Sequence, residues 1–282
     1  MPEGDAVWRT ARRLHTALSG DLLLGADLRV PALATKDLVG RHTLEVVPRG
    51  KHLLHRIEGG LTLHSHLRMD GSWRVLHRTS GDSGPPQQAA TRKHTVRAVL
   101  WTDSAIAVGD RLGMLDLVET THEDRLVGHL GPDLLDRGFN RDLALSNLLR
   151  DRSRPVAEAL LDQRNLAGIG TIYASEPLFE HRANPWTPVG QMDPELLGAV
   201  VDTARLWLVR SCKLSPGALR GAVGRVPADG WLPWRPRVFG REGRPCPRCG
   251  TPIRQGTIGA QPREREISYC PRCQGSPHVL ES

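Results

Sequence analysis

Four cysteines near the end of the sequence constrain what this chain can fold into more than any other feature. Cys246 and Cys249 form one Cys-x2-Cys pair, and Cys270 and Cys273 form a second pair after a spacer of 20 residues. A segment of about 30 residues buries too little apolar surface to fold unaided, so it needs a metal to fold around. Two Cys-x2-Cys pairs supply the tetrahedron of soft ligands that Zn²⁺ prefers. We therefore predict a zinc ribbon, with two disulfides or an iron–sulfur site as the alternatives.

The sequence shows neither a secretion signal nor a membrane span. Its first ten residues contain the acids Glu3 and Asp5 and no apolar segment. No apolar run reaches the roughly 18 residues that a transmembrane helix requires. With 39% hydrophobic and 24% charged residues, the chain has the balance of an ordinary globular protein. We therefore expect a cytoplasmic protein, and a monomer, in which reduced cysteines favour the metal over disulfides.

The charge of the chain points to a polyanionic partner. The net charge is +7, and arginine supplies most of the positive charge because only four lysines occur. Guanidinium groups suit phosphate better than ammonium groups do. A stripe of seven arginines runs into the cysteine segment against two acids, Asp229 and Glu242. The seven are Arg220, Arg225, Arg235, Arg237, Arg241, Arg244 and Arg248. This arginine stripe predicts contact with nucleic-acid phosphates, and a solvated basic linker is the alternative.

Hydrophobic periodicity divides the rest of the chain into a β-rich and a helical part. Apolar residues at helical spacing predict a first helix over Asp5–Leu18 that ends at Ser19-Gly20. Between about residues 27 and 110, short segments bounded by glycine or proline predict strands. Examples of such segments are Thr43–Val47, His52–Ile57, Leu61–Ser65 and Thr95–Trp101. After Gly131-Pro132, three- and four-residue spacing predicts helices. Their segments are Asp142–Leu149, Val156–Asp162, Ile172–Glu180 and Pro194–Val209.

These elements predict a multi-domain α+β protein. Residues 1–130 should form a helix plus a β-sandwich or barrel, of which we take the sandwich. Residues 131–220 should form a helical domain, and residues 221–282 a connector followed by the zinc ribbon. The Gly/Pro/Gln/Ala-rich stretch Thr79–Thr91 predicts an exposed loop.

The segment Leu160–Gly170 joins two predicted helices through a turn that contains glycines. The helix that follows offers free N–H groups and the positive end of its dipole, which together form a seat for phosphate. Many helix pairs have glycines in the turn and bind no ligand. The turn therefore indicates a phosphate site only in combination with other features.

The N-terminus offers a nucleophile. Pro2 becomes the terminal residue when Met1 is removed, and its nitrogen is then a secondary amine. A terminal amine has a lower pKa than a lysine side chain, so more of it is unprotonated at neutral pH. Such an amine can attack the aldehyde form of a sugar at C1′ and form an iminium. Glu3 follows directly and could exchange protons with the sugar or a water. Most proteins with proline at position 2 have no such chemistry. The assignment of Pro2 as a nucleophile therefore also needs support from other motifs in the sequence.

Four sequence motifs that occur in a fixed order support both the terminal nucleophile and the phosphate site. They are Met1-Pro2-Glu3-Gly4, Arg49-Gly50-Lys51-His52-Leu53-Leu54, the turn Leu166–Tyr173 and the four-cysteine ribbon. Together they resemble the formamidopyrimidine-DNA glycosylase/endonuclease VIII family of base-excision repair enzymes, over nearly the whole chain. The segment His64-Ser65-His66-Leu67 through Gly71–Val75 is similar to the actinobacterial endonuclease VIII branch. The resemblance implies a helix-two-turn-helix domain in the helical part and a bifunctional DNA glycosylase and abasic-site lyase that binds damaged DNA.

The family pattern implies roles for residues that match its motifs. Pro2 resembles the Schiff-base nucleophile and Glu3 its acid/base partner. Lys51 resembles the family lysine linked to β-elimination and to the phosphate beside the lesion; an ordinary exposed hairpin lysine is the alternative. Arg265 resembles the ribbon arginine that grips phosphates and serves δ-elimination. A solvated residue is the alternative there, and Arg263 is a competing candidate for the role.

Four further residues match positions that contact DNA in the family. Met69 resembles the wedge that fills the gap left by an everted nucleotide, where an apolar side chain replaces lost stacking; a core methionine is the alternative. Arg68 matches a DNA-contacting position of the endonuclease VIII branch, and His129 stands where that branch has a DNA-contacting arginine. Thr171 replaces the asparagine that the family places after Gly-x-Gly, which predicts a weaker or differently placed phosphate grip.

The segment Asp110-Arg111-Leu112-Gly113 departs from the arginine–phenylalanine loop of the formamidopyrimidine branch. The resemblance therefore favours oxidised pyrimidines over 8-oxoguanine as the excised bases. Two other classes of function remain as alternatives. One is a non-catalytic or lyase-weakened protein that binds DNA lesions on the same scaffold, and the other is a generic zinc-ribbon RNA-binding protein.

Overall fold

The computed structural model describes residues 2–78, 85–86, 89–212, 235–262 and 264–275. In these ranges the helices longer than a single 3₁₀ turn are α1 Gly4–Leu18, α2 Asp124–Val127, α3 Arg141–Leu148, α4 Val156–Leu161, α5 Thr171–Glu180, α6 Pro194–Cys212 and α7 Pro271–Gln274. The strands are β1 Gly25–Leu28, β2 Thr43–Arg49, β3 His52–Ile57, β4 Leu61–His66, β5 Ser72–His77, β6 Val96–Trp101, β7 Ala105–Asp110, β8 Met114–Glu119, β9 Arg254–Ile258 and β10 Arg265–Tyr269. They belong to two units, residues 1–129 and 130–282.

The N-terminal unit is the predicted helix plus β-sandwich. One antiparallel sheet has the strand order β1-β6-β7-β5, and the other has the order β2-β3-β4-β8. The buried side of the second sheet carries Leu53, Leu63 and Leu115, which belong to one apolar cluster with Ala98 and Leu100 of the first sheet. Residues alternate between the two faces of a strand, so His52 and Arg56 of β3 share the face opposite the core with Thr62, His64 and His66 of β4.

Helix α1 closes this core. Its residues Val7, Ala11, Leu14 and Leu18 follow the predicted helical spacing, are buried, and join the same cluster. The predicted start at Asp5 is one residue late, because the helix begins at Gly4. Gly20 follows the helix with a φ of +86° and so permits the turn that side chains with a Cβ disfavour.

Each strand segment named from the sequence coincides with an observed strand, whereas no segment was named for β1, β5, β7, β8, β9 or β10. Strand β7 lacks a sequence signal because all six of its residues are buried. Its sequence therefore does not show the alternation of apolar and polar residues that identifies a half-buried strand. The predicted loop Thr79–Thr91 lies largely outside the described residues. Its end, Ala89–Thr91, forms a short 3₁₀ helix.

The C-terminal unit contains the predicted helices and the ribbon around a shared core. Ile258 of β9 and Ile267 of β10 belong to the same apolar cluster as Tyr173 of α5 and Leu208 of α6. Helix α6 continues three residues past the predicted end at Val209 because Ser211 and Cys212 remain buried against the unit. The ribbon is therefore integrated with the helices, and the separation of domains at residue 220/221 stays a prediction.

Glu176 of α5 ties the chain that leads into the ribbon to the helices. Its fully buried carboxylate accepts backbone N–H groups of Arg237, Val238 and Phe239 at 2.8–3.0 Å. Burial raises the pKa of this carboxyl group, while the three N–H donors act in the opposite direction. Among the helices that the structure describes, none combines the length and the apolar character needed to traverse a lipid bilayer.

Candidate active site

The two N-terminal candidates lie at the start of α1. Glu3 occupies the N-cap position, and its backbone carbonyl accepts the N–H of Val7 at 3.1 Å. Its side chain does not cap the helix and is only 2% exposed. Pro2, directly before it, is half-buried. A terminal amine here stands beside a buried carboxyl group and the positive end of a helix of 15 residues.

Lys51 lies in the turn between β2 and β3. Gly50 has a φ of +58°, which makes this tight hairpin possible. Lys51 is half-buried in this turn. Its neighbours are histidines, because register places His52 of β3 opposite His66 of β4.

Four histidines gather beside this hairpin turn. The ring of His52 stacks on His64 with centroids 5.0 Å apart, and it meets the edges of His66 at 4.9 Å and His129 at 6.2 Å. Of these four, only His129 belonged to the predicted site, and the structure brings it next to the strand that follows Lys51.

Two of these imidazoles, those of His52 and His66, are held neutral. Burial lowers the pKa of His52 to about 3, with further lowering by His66, His64, His129 and Lys51. Burial also lowers the pKa of His66 to about 4, assisted by the charges of Lys51, His64 and Arg68. At neutral pH the rings of His52 and His66, whose pKa values the charge of Lys51 helps to lower, are therefore uncharged.

Arg68 and Met69 form the turn between β4 and β5. Met69 is 64% exposed, which excludes the core alternative. Arg68 has a φ of +51°, and its backbone N–H donates to Nδ1 of His66 at 2.9 Å. Gly71 completes the turn, since a Cβ there would lie 2.4 Å from the carbonyl oxygen of Leu67. The turn thus exposes the apolar side chain of Met69, while the backbone on either side of Met69 is held in place.

Thr171 is the first residue of α5, after Gly170 at the N-cap. The turn before it is braced by Gln163, whose amide donates to the carbonyls of Leu161 and Ile169 and whose Oε1 accepts the N–H of Gly168 at 3.1 Å. The glycine turn therefore offers fewer N–H groups to a phosphate than the sequence suggests, because that of Gly168 is already occupied.

The four predicted metal ligands converge. The Sγ atoms of Cys246, Cys249, Cys270 and Cys273 all lie within 4.8 Å of one another. Cys246 and Cys273 are 3.9 Å apart at sulfur, and Cys249 and Cys270 are 3.5 Å apart. Zn–S bonds of about 2.3 Å in a tetrahedron place the sulfurs roughly 3.8 Å from each other, so this donor set fits a zinc ion.

Arg265 begins β10 and is exposed, opposite Ile258. Its competitor Arg263 lies outside the described residues, as do Arg220 and Arg225 of the arginine stripe. The stripe is not uniformly available to DNA. Arg237 and Arg248 both bind the carboxylate of Glu180, and Arg248 also covers the ring of Phe179 at 4.4 Å. These two arginines fasten the ribbon to α5.

Sequence reasoning missed the histidine cluster, Gln163 and Glu176. The alternation of His64 and His66 on one strand signalled a shared face. No local pattern indicated that the same face carries His52 and Asp116, because strand register brings them there. The role of Glu176 also depends on a chain segment about 60 residues away.

Two family models match the chain. The formamidopyrimidine-DNA glycosylase N-terminal domain matches residues 1–115, and the formamidopyrimidine-DNA glycosylase H2TH domain matches residues 130–220. The fold is similar to that of Lactococcus lactis Fpg in a complex with DNA containing an abasic site. That comparison has a TM-score of 0.78 at 22% identity and covers 98% of this chain and 100% of that one.

Two relatives match almost end to end. The "Probable endonuclease 8 2" of Streptomyces coelicolor is 48% identical over 98% of this chain and 95% of its own length. The "DNA-(apurinic or apyrimidinic site) lyase Nei2" of Mycolicibacterium smegmatis is 40% identical over 97% of this chain and 99% of its own length. The chain belongs to the formamidopyrimidine-DNA glycosylase family, in the branch that includes the endonuclease 8 proteins of actinobacteria.

Proposed function

We propose that this protein is a bifunctional DNA glycosylase and abasic-site lyase of base-excision repair that acts on oxidised bases in damaged DNA. The observation that carries the proposal is the start of α1, where Pro2 adjoins a buried Glu3. Relatives that are named as an endonuclease and as a lyase support an enzyme over the non-catalytic alternative. The RNA-binding alternative would leave Pro2, Glu3 and Lys51 without a role.

The chemistry assigned to these residues follows from an amine that attacks a sugar. The Pro2 nitrogen forms a bond to C1′, and the bond from C1′ to the damaged base breaks with the electron pair leaving on the base. Glu3 moves protons at the sugar during this step. The nitrogen then loses its proton, and its lone pair forms the iminium as the C1′–O4′ bond breaks and O4′ takes up a proton. The iminium acidifies C2′–H, and loss of that proton expels the 3′ phosphate, which is the β-elimination that we assign to Lys51. Arg265 serves the subsequent δ-elimination at the 5′ side.

Borohydride reduction tests this proposal directly. The full-length protein, incubated with duplex DNA containing one abasic site, should give a covalent complex when borohydride reduces the iminium to a stable amine. Intact-site DNA of the same sequence serves as the control and should not be trapped. A protein that binds the abasic duplex and cuts none of it, and that forms no trapped complex, would be the lesion-binding protein of the alternative.

Oxidised pyrimidines are the proposed bases. The connection between β7 and β8 consists of Arg111, Leu112 and Gly113 alone, and Leu112 is buried. A turn of three residues agrees with the departure of this segment from the arginine–phenylalanine loop of the formamidopyrimidine branch, and so supports pyrimidines as the excised bases. A panel of duplexes with single oxidised bases should show faster excision of pyrimidines than of 8-oxoguanine.

Four residues are proposed as DNA contacts. Met69 has the exposure that a wedge requires, and Arg68 shares its turn. His129 is exposed beside the histidine cluster, and Thr171 opens α5. The cytoplasmic location and the monomeric state stay predictions from the sequence.

We assign Zn²⁺ to the four cysteines, as a structural ion that crosslinks the two knuckles. Cys246→Ser should therefore reduce zinc from one ion per chain to a substoichiometric amount. Because Cys246 and Cys270 pack with Phe179 of α5, the loss should also lower the melting temperature of the C-terminal unit. Metal analysis and thermal unfolding measure the two effects.

Cys212→Ser is the matched control, since Cys212 is a buried thiol of α6 outside the cluster. It should retain one zinc per chain. Folded Cys246→Ser protein with a full complement of zinc would contradict the assignment.

Arg265→Ala should weaken binding to abasic DNA and slow δ-elimination more than base release. A phosphate contact of this kind contributes to affinity in a salt-dependent way, so the variant should show a shallower salt slope, by about one unit. Arg254→Ala, an exposed arginine on the paired strand β9, is the control. If the Arg265 variant cut and bound as the Arg254 variant does, the role would pass to another arginine such as Arg263.

A further inference from the structure

The turn between β7 and β8 packs directly against the turn between β4 and β5. Both turns connect one sheet of the sandwich to the other. The backbone N–H of Gly113 in the β7–β8 turn donates to the carbonyl oxygen of His66, the last residue of β4, at 2.9 Å. A Cβ atom at Gly71 would lie 2.9 Å from the carbonyl oxygen of Arg111, so the backbones of the two turns are in close contact.

The side chain of Arg68 lies on Gly113. A Cβ atom at Gly113 would be 2.4 Å from both Cγ and Cδ of Arg68 and 2.8 Å from its Cβ. Carbon atoms in contact are normally about 3.5–4.0 Å apart, so the arginine stem occupies the space that any side chain at position 113 would need. The backbone of Gly113 lies outside the left-handed region. The close approach of Arg68, and not the backbone conformation, is therefore the reason for glycine at this position.

The guanidinium group of Arg68 is exposed and has no polar partner that would hold it. Across the described ranges of the chain, no side chain or carbonyl group forms a hydrogen bond or ion pair with this group. Arg74 of β5, by contrast, pairs with Asp110 at 3.0 Å. The direction of the Arg68 side chain is therefore set by the packing of its stem on Gly113 and by its own backbone, which has a φ of +51°.

We infer that Gly113 is a positioning residue for Arg68, because the missing side chain at position 113 leaves the space in which the arginine stem is held for contact with DNA. An arginine loses rotamer freedom when it binds DNA, and a stem that is already packed in the free protein loses less. The inference rests on the proposed function, in which Arg68 contacts damaged DNA. It assigns no DNA contact to Gly113 itself.

Gly113→Ala tests the inference in two backgrounds, with a duplex that contains one reduced abasic site. The reduced sugar has no aldehyde for an amine to attack, so binding is measured without cleavage. In the otherwise wild-type protein, the alanine displaces the arginine stem, and the dissociation constant should rise by about fivefold. In Arg68→Gly protein, which lacks all three atoms that the alanine would meet, the same substitution should change the dissociation constant by less than about twofold.

Gly138→Ala is the matched control for replacing a glycine by alanine. A Cβ atom at Gly138 would lie 3.7 Å from Oδ1 of Asp136, which is an ordinary contact. This variant should bind the duplex with the wild-type dissociation constant. Equal weakening by Gly138→Ala and Gly113→Ala would mean that the loss is not specific to position 113, and would overturn the inference.

Two further measurements separate the positioning of Arg68 from movement of Met69 and from loss of stability. In Met69→Ala protein, Gly113→Ala should still raise the dissociation constant by about fivefold, because the arginine is unchanged there. Thermal unfolding of each variant reports stability. Any decrease in melting temperature caused by Gly113→Ala should disappear in the Arg68→Gly background, because the two side chains no longer collide.

Three results would each overturn the inference: wild-type affinity in Gly113→Ala, an undiminished loss in the Arg68→Gly background, or no loss in the Met69→Ala background. Wild-type affinity in Arg68→Gly would overturn it together with the DNA contact that we propose for Arg68. Failure of the wild-type protein to form the borohydride-trapped complex would overturn the proposed lyase activity and not this inference, which is measured by binding alone.

Discussion

Blocking the nitrogen of Pro2 is expected to abolish the borohydride-trapped complex with abasic DNA. Attack on C1′ needs a free, unprotonated amine. When Met1 or a tag precedes Pro2, its nitrogen becomes a tertiary amide whose lone pair is delocalised into the carbonyl group. DNA binding should persist, because the ribbon and the exposed arginines are untouched. Gel analysis of trapped product and a binding titration on the same protein measure the two effects.

The same tag placed at the C-terminus is the control and should permit trapping. Pro2→Gly keeps a primary amine at the terminus, so partial lyase activity is expected from it. Trapping by the N-terminally blocked protein at the wild-type level would exclude Pro2 as the nucleophile. Lys51 would then be the next residue to replace, since it is the other amine of the proposed site.

Glu3→Gln is expected to have the second largest effect. The side chain is 2% exposed, so the amide can occupy the same space, but it cannot exchange a proton. Loss of a positioned general acid or base costs about 10²- to 10⁴-fold in rate, and we expect the release of an oxidised base to slow within that range. Cleavage of a preformed abasic site should fall much less, because no base has to leave.

The two substrates provide the control for Glu3→Gln within one protein preparation. A normal rate on abasic DNA shows that the variant is folded and binds. Thermal unfolding of the variant reports separately whether the substitution changes the stability of the fold. Equal losses on both substrates would mean that Glu3 acts in the lyase step or in the fold, and not in base release.

Local patterns predicted much of this protein. The spacing of Cys246, Cys249, Cys270 and Cys273 predicted four sulfurs that the structure brings within 4.8 Å, because a knuckle is a short-range feature of the chain. The apolar spacing of α1 predicted its buried face, since helical periodicity is also local. Strand β7 escaped prediction because burial on both faces removes the alternation on which such prediction depends.

What the sequence by itself determined is therefore the inventory: the terminal Pro2-Glu3 pair, the hairpin that bears Lys51, the glycine turn before Thr171, and the four thiols. The tertiary structure decided which of their neighbours complete them. Register across β3, β4 and β8 connects His52, His64 and Asp116 through hydrogen bonds, and residues 52 and 116 are too far apart for any local pattern to connect them. Packing of the ribbon on α5 places Arg237 and Arg248 in ion pairs with Glu180. From the sequence alone, both arginines were predicted to belong to a phosphate-binding stripe. In both cases the reason is the same: hydrogen bonds and ion pairs between distant segments depend on sheet register and core packing, which short stretches of sequence do not encode.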